Sequence, residues 1–413
     1  MTQRNIVLVT YDSLRADHCG HLGYDRETTP NLDAMADDGI AFRNAISPAS
    51  RTNPSMAGVF TGEPLVTRER VSNPEVARRH LERFGTLAEA LSEQGYATGA
   101  FNPNAYASQY YGFDRGFDDF EDFLFSSDRY QSVFERHLSD SSLYTLFRNL
   151  RNFVRREEAF KTWDSYVDDV ERWVRAQDDP FFLWIFAMDT HFPHLTPRSH
   201  RQWSSLFDQY YYNWRCNQLI DELDADLSER ERQKIVDIYD DSVRFGDALL
   251  GELRERLDDF DPVFVVHGDH GEAFGERGVY GHFYPALYEE HIHVPWVVSG
   301  LDRTGNVERP ASLLDLPEVV EQATADEVTY SGRDWAIATD YDGRFDRNLT
   351  AVRLQEWSYL ADGTGLGELH DLTASERVDE ERPVGESLSA LCARRAAHER
   401  EQLAVREYSE QRS

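Results

Sequence analysis

The chain has 413 residues, 40% hydrophobic and 13% aromatic, enough for one large α/β domain with an appendage and too apolar for a disordered chain. Its 75 acidic and 43 basic residues leave a formal charge of −32, which speaks against polyanionic nucleic acid and anionic lipid headgroups as partners. Cys19, Cys216 and Cys392 are odd in number and lack CxxC spacing, so neither a disulfide framework nor a zinc site is indicated.

The basic set contains only two lysines, Lys161 and Lys234, the rest being arginine. An acidic surface of this kind resists association and salting-out at the cost of self-repulsion in low salt, and predicts a protein adapted to a high-salt cell. Melting temperature is therefore expected to rise with KCl; a flat or falling series would sink this reading. No basic n-region and apolar h-region opens the chain, and no apolar run reaches the ~18 residues of a membrane span. These features predict a soluble, cytoplasmic protein.

In chain order, "NIVLVTYD" (Asn5 to Asp12) predicts a strand buried on both faces. "TPNLDAMADDG" predicts a helix with a Thr or Pro start and a Gly stop, and "GIAFRNAIS" a second strand. "TNPSMAGVFTG" is a helical run ending at Thr61-Gly62, with Thr52 as cap or nucleophile. "TLAEALSEQGYATGAF" predicts helix, turn and strand, a βαβ-style alternation. Asp118 to Asp179 reads as charged, aromatic and mostly helical. "PFFLWIFAMDTH" and "FVVHGDHGE" predict buried strands on either side of a long amphipathic helix, "ERERQKIVDIYDDSVRFGDALLGELRERL". "HVPWVVSG" is one more strand. Beyond Ala323, "WAIATD", "LTAVRLQ", "WSYLADG" and "GELHDL" predict a small antiparallel sheet, followed by a charged helix over about Ser387 to Gln411. The expected division is a catalytic domain over 1–323 and a small α+β subdomain over 324–413 packed on it.

Polar residues recur just past the carboxyl ends of apolar strands: Asp12, His191, Asp269 and His270. In open α/β sheets that edge is where ligands sit. Singly each has a plain reading, Asp12 as a helix cap, Thr52 as another, a histidine as packing. The adjacent Asp269-His270 pair in a Gly-flanked loop suits a divalent cation.

Together the blocks "VTYDSLRADHCGHLGYDRETTPNLDAMADDGIAFRNAIS", "TNPSMAGVFTG", "GYATGAFNPN" and "GDHGEAFGERGVYGHFYPALYEEHIHVPWVVSG" resemble the sulfatase family of the alkaline-phosphatase superfamily, in the family's order. "LLDLPEVV" and "GELHDLTASE" resemble its C-terminal landmarks, and only about 120–180 and 200–230 lack resemblance. The resemblance implies a large, mostly parallel central sheet flanked by helices, with a small C-terminal antiparallel sheet and helix. It also implies one divalent cation at the sheet's carboxyl edge. Carried over by position, Asp12, Asp269, His270 and Thr52 hold the metal, Thr52 is the nucleophile, and His191 and His282 touch the ester or its leaving group. A cation can lower the pKa of a Thr hydroxyl and polarise the ester oxygen, and a histidine can donate the proton that the leaving group needs.

The sequence departs from sulfate-cleaving members at the nucleophile block, which reads Thr52-Asn53-Pro54-Ser55-Met56. Those members carry Cys or Ser, oxidised to formylglycine; threonine would give a ketone, so no formylglycine is expected. A phosphorylated threonine can be released by in-line attack at phosphorus, whereas a sulfated one lacks the hemiacetal exit. Met56 replaces the block's arginine, and Arg15 is a candidate for the bidentate anion contact that Met56 cannot make, with a surface salt bridge as the reading preferred for it. Asn102 and Asn104 stand where many sulfatases have Lys and His near the anion, which makes Asn104 a substrate-binding candidate. Asp12-Ser13 carries one carboxylate where a pair is usual, and His270 replaces Asn. Both changes favour Mn²⁺, Mg²⁺ or Zn²⁺ over Ca²⁺. The expected function is a metal-dependent hydrolase of a phosphate or sulfate ester. Its substrate would be a small anionic ester or a sulfated or phosphorylated glycan. A soluble phosphoryl (phosphoglycerol-type) transferase and a non-catalytic binding relative are the alternatives.

Overall fold

The computed structural model describes residues 3–123, 161–178, 180–220, 227–363, 367–374, 376–378 and 382–410. Most of the helical expectation for Asp118 to Asp179 falls outside the described residues. Among the described residues eleven strands precede residue 324: β1 (Ile6–Tyr11), β2 (Ile40–Phe42), β3 (Ala45–Ile46), β4 (Ala97–Phe101), β5 (Asp119–Glu121), β6 (Phe181–Ala187), β7 (Val263–Gly268), β8 (His293–Val294), β9 (Trp296–Ser299), β10 (Gly305–Val307) and β11 (Ala311–Ser312). Eight of them form one sheet in the order β10-β2-β9-β7-β1-β6-β4-β5. All run the same way except β9, which is antiparallel to both of its neighbours.

The continuous apolar runs of β1, β6 and β7 fit a sheet covered on both faces. Ile6 and Leu8 of β1 point into one core with Phe182, Trp184, Phe186, Val263 and Val265. Val7 and Val9 point into the other, with Phe181, Leu183, Ile185, Phe264 and Val266. Each such side chain contributes about 1.5–3 kcal/mol on full burial, so these strands form the rigid centre of the molecule.

Four helices hold the architecture together: α1 (Pro30–Asp37), α2 (Thr52–Thr61), α3 (Glu229–Arg256) and α4 (Pro383–Glu410). α3 starts at Ser228, whose hydroxyl accepts from the Glu231 amide while the Glu231 carboxylate accepts from Ser228 in return. α2 stops at Gly62, which takes the left-handed conformation (φ 72°) that glycine adopts without a Cβ clash.

Two expected strands are divided. "GIAFRNAIS" becomes β2 in the large sheet and β3 in a three-stranded sheet with β8 and β11. "HVPWVVSG" likewise splits at Pro295, which cannot donate to a ladder, into β8 and β9. Beyond them, β12 (Ala336–Asp342), β13 (Arg347–Arg353), β14 (Trp357–Ala361), β15 (Gly367–Asp371) and β16 (Glu376–Val378) form an antiparallel meander. α4 covers it, with Leu388 and Cys392 packed against Val352, Tyr359 and Leu369.

This second sheet is fastened to the loop before α2. The Thr339 amide donates to the Pro48 carbonyl (2.8 Å) and the Ser50 hydroxyl to Asp340 (2.9 Å). Ile46, Leu287 and Ile292 pack against Ala336, Ala338 and Ala351. Among the described residues no helix is long and apolar enough to cross a membrane.

Candidate metal and ester site

The site lies where four adjacent parallel strands end. Tyr11 is level with Gly268 of β7 and Ala187 of β6, so the next residues, Asp12 and Asp269, emerge side by side. The backbone continues the ladder for one more step: the Asp12 amide donates to the Ala187 carbonyl and the Asp269 amide to the Tyr11 carbonyl, each at 3.0 Å. Ser13 then turns sharply, at φ 60°, a region costly for a residue with a Cβ. That turn aims its amide at Asp269 Oδ1 (3.0 Å).

Asp12, Asp269 and His270 are buried, and one donor atom from each lies within 4.8 Å of the others. The His270 tautomer is set by its neighbours. Nδ1 donates to the Gly271 carbonyl (2.8 Å), which can only accept, so Nε2 carries the lone pair. Nε2 lies 3.4 Å from Asp269 Oδ2 and 3.8 Å from Asp12 Oδ1. Burial, together with the nearby His282 ring, pushes the His270 pKa down to about 3, so the ring is neutral.

Asp269 Oδ1 accepts from the Ser13 and His270 amides, whereas Oδ2 is buried with no hydrogen-bond partner. Burial and then the Asp12 charge push the Asp269 carboxyl well above its ordinary range. An orphaned carboxylate oxygen, a second carboxylate and an imidazole lone pair facing one point fit a divalent cation. Gly271 is required here, because a Cβ at that position would stand 2.1 Å from the Glu290 carbonyl oxygen.

Thr52 is the first residue of α2, and its Oγ1 donates to His270 Nε2 at 3.2 Å. The helix is buried from Thr52 to Phe60, so the hydroxyl is held on a fixed support. The Ser55 hydroxyl, one turn on, donates to the Asp269 carbonyl (2.6 Å) and ties that support to the metal loop.

His282 and His191 face each other with ring centroids 5.3 Å apart, and His282 is 4.4 Å from the His270 ring. His282 Nδ1 donates to Glu272 Oε2 (3.0 Å). Burial opposes the Glu272 charge, but the His282 ring overrides it and leaves that carboxyl at about 2. In return Glu272 raises the His282 pKa against the effect of burial. Glu272 stands in the quoted "GDHGE" run, and its place two residues beyond His270 in the same loop was the available signal.

The Arg15 guanidinium donates to both Asp17 oxygens (2.8 and 2.6 Å), to Glu276 (2.9 Å) and to the Glu272 carbonyl (2.9 Å), the salt-bridge arrangement set beside its expected anion contact. It is buried over the Phe274 ring and fastens the metal loop to the start of the chain. Asn104, expected to touch substrate, donates through Nδ2 to Asp12 Oδ2 (2.6 Å) while its carbonyl accepts from the Tyr106 amide (2.7 Å). It thus orients a candidate metal ligand. Met56 is fully buried in the core, so no group from that position reaches the site.

The sulfatase family model matches residues 4–324. The chain belongs to the sulfatase family. It is 24% identical over 328 residues to the ulvan-active sulfatase of Formosa agariphila, covering 74% of this chain and 58% of that one. It is 22% identical over 342 residues to human iduronate 2-sulfatase, covering 73% and 60%. The chain thus spans less than two thirds of these relatives' length. Among solved structures, the phosphonate monoester hydrolase of Agrobacterium radiobacter aligns over 97% of this sulfatase-family chain and 96% of its own, with TM-score 0.68 and 17% identity. A 2-O GAG sulfatase aligns over 99% and 94%, with TM-score 0.67 and 18% identity. These likenesses establish the alkaline phosphatase/sulfatase fold.

Proposed function

We propose that this protein hydrolyses a phosphate or sulfate ester at one divalent cation, with Thr52 as nucleophile and with phosphorus favoured over sulfur. The observation that carries the reading is the Thr52 hydroxyl 3.2 Å from the His270 lone pair, beside two buried carboxylates with an unsatisfied oxygen between them. When bound, the cation supplies Lewis-acid polarisation of the ester and acidifies a coordinated hydroxyl.

The chain's own residues supply the rest. Thr52 gives up its proton to solvent and forms a bond to phosphorus as the bond to the leaving oxygen breaks. Glu272 holds His282 by Nδ1, leaving Nε2 to deliver a proton to that oxygen, with His191 on the same side. Water then attacks the phosphothreonine, releasing phosphate and restoring the hydroxyl. A threonine at this position supports phosphorus chemistry, because it cannot form the aldehyde hydrate that expels sulfate. The relatives named for sulfated glycans support an anionic ester on a sugar as substrate, and the charge of −32 supports a high-salt cell as the site of action.

The test is turnover in molar KCl with Mn²⁺ on p-nitrophenyl phosphate, bis-p-nitrophenyl phosphate and p-nitrophenyl sulfate. The expected order is phosphate esters above sulfate. Preferential sulfate turnover would overturn the assignment to phosphorus, and inactivity on all three with no metal on elemental analysis would favour a binding protein.

A further inference from the structure

Arg15 and Met56 both fail to supply a cation for the ester's anionic oxygens, yet a charged group stands immediately before the nucleophile. Arg51 caps α2 in extended geometry (φ −142°, ψ 151°). Its Nε donates to Asp340 Oδ2 (3.2 Å), and Nη2 donates to Asp340 Oδ1 and to the Tyr341 carbonyl (3.2 Å). Asp340 is buried on β12 and also accepts from the Ser50 hydroxyl (2.9 Å). One edge of the guanidinium is thus locked onto the C-terminal sheet. Nη1 has no hydrogen-bond partner among the described residues, and the Arg51 side chain keeps 20% exposure.

Arg51 directly precedes Thr52, and the segments packed around it also reach the site. The Asn53 side-chain Nδ2 donates to the Tyr106 carbonyl (2.8 Å), and Tyr106 lies two residues beyond the Asn104 that holds Asp12. The Ala286 amide donates to the Ser50 hydroxyl, which brings the chain after His282 against the same loop.

We propose that Arg51 binds the non-bridging oxygens of the anionic ester through its free guanidinium edge, and that Asp340 of the C-terminal sheet is the positioning residue that aims it. This rests on the ester-cleaving reading above. It gives the second sheet a task in recognition: the sheet holds the cation that the family's nucleophile block lacks here. A guanidinium fixed on one edge presents the other at little entropic cost, which a free surface arginine does not.

The test compares wild type with Arg51→Lys, Arg51→Ala, Asp340→Asn and the double variant Arg51→Met/Asp340→Asn. The double variant removes the buried ion pair as a unit, so no uncompensated carboxylate is left to unfold the protein. The readouts are KM and kcat for p-nitrophenyl phosphate, and the Kd of inorganic phosphate by calorimetry on the metal-loaded protein. Expected in Arg51→Ala and in the double variant is a rise of about 10- to 100-fold in both KM and phosphate Kd, with metal content unchanged. Arg51→Lys should lie between, since a lysine keeps the charge and loses the fixed fork. Asp340→Asn alone should weaken phosphate less than Arg51→Ala. Unchanged KM and phosphate Kd in the folded double variant would overturn the proposal. A wild type that binds phosphate through Arg51 and turns over no ester would sink the hydrolase reading and leave this one standing.

Discussion

Thr52→Ala is expected to lower kcat/KM on a phosphate ester by on the order of 10⁴-fold or more, the size of effect seen when a covalent nucleophile is removed. The helix that carries Thr52 should survive the change. Its stability comes from Asn53 to Phe60, which are buried in the same helix, and from the Ser55 hydroxyl on the Asp269 carbonyl. Alanine removes one methyl and one hydroxyl at a position 5% exposed, a packing loss of about 1 kcal/mol. Metal should still bind, because Asp12, Asp269 and His270, three of the four expected ligands, are untouched. Thr52→Ser keeps the attacking oxygen and should recover most of the loss. Acid quench of the wild type during turnover should leave a phosphate adduct on the peptide containing Thr52. Full activity in Thr52→Ala would remove the nucleophile assignment.

Stripping the metal with a chelator is expected to abolish activity and lower the melting temperature, and Mn²⁺ should restore both. The physical reason is the pair of buried carboxylates. Without a cation, Asp269 Oδ2 has no partner and its charge stands against that of Asp12, which, after burial, is why its carboxyl is pushed upward. A cation at 100 times its Kd would stabilise the fold by about 2.7 kcal/mol through linkage alone. Asp269→Asn separates this from a general effect of divalent ions. The amide oxygen can still accept from the Ser13 and His270 amides, and the repulsion disappears. The stripped variant should therefore be at least as stable as stripped wild type, while showing no stabilisation by Mn²⁺ and no activity. A variant that still gains stability from Mn²⁺ would place the ion elsewhere.

The order of blocks, the buried strands and the polar residues at their carboxyl ends were legible in the sequence. A continuous β-branched apolar run buried on both faces, such as Ile6 to Val9, and a helix with its own cap, such as Glu229 to Arg256, carry their structure in local pattern. So does the side-by-side emergence of Asp12 and Asp269, once β1 and β7 are taken as parallel neighbours. The division of "GIAFRNAIS" and "HVPWVVSG" was not legible, because strands of two or three residues are selected by what they pair with.

The charges were harder still. Arg15 and Arg51 are both arginines close to a predicted site residue, and nothing local separates them. Tertiary partners decide between them. Asp17, Glu276 and the Glu272 carbonyl surround Arg15, whereas Asp340, far away in sequence, holds only one edge of Arg51. The Asn104 side-chain amide likewise finds Asp12 only across the sheet edge. By itself, the sequence determined which residue types reach the carboxyl edge, because hydrophobic periodicity sets which ends are polar. Which of those groups are satisfied by the protein and which stay open to a metal or an anion was decided only by the tertiary structure, because a hydrogen bond or ion pair is a property of two positions and its partner here lies far along the chain.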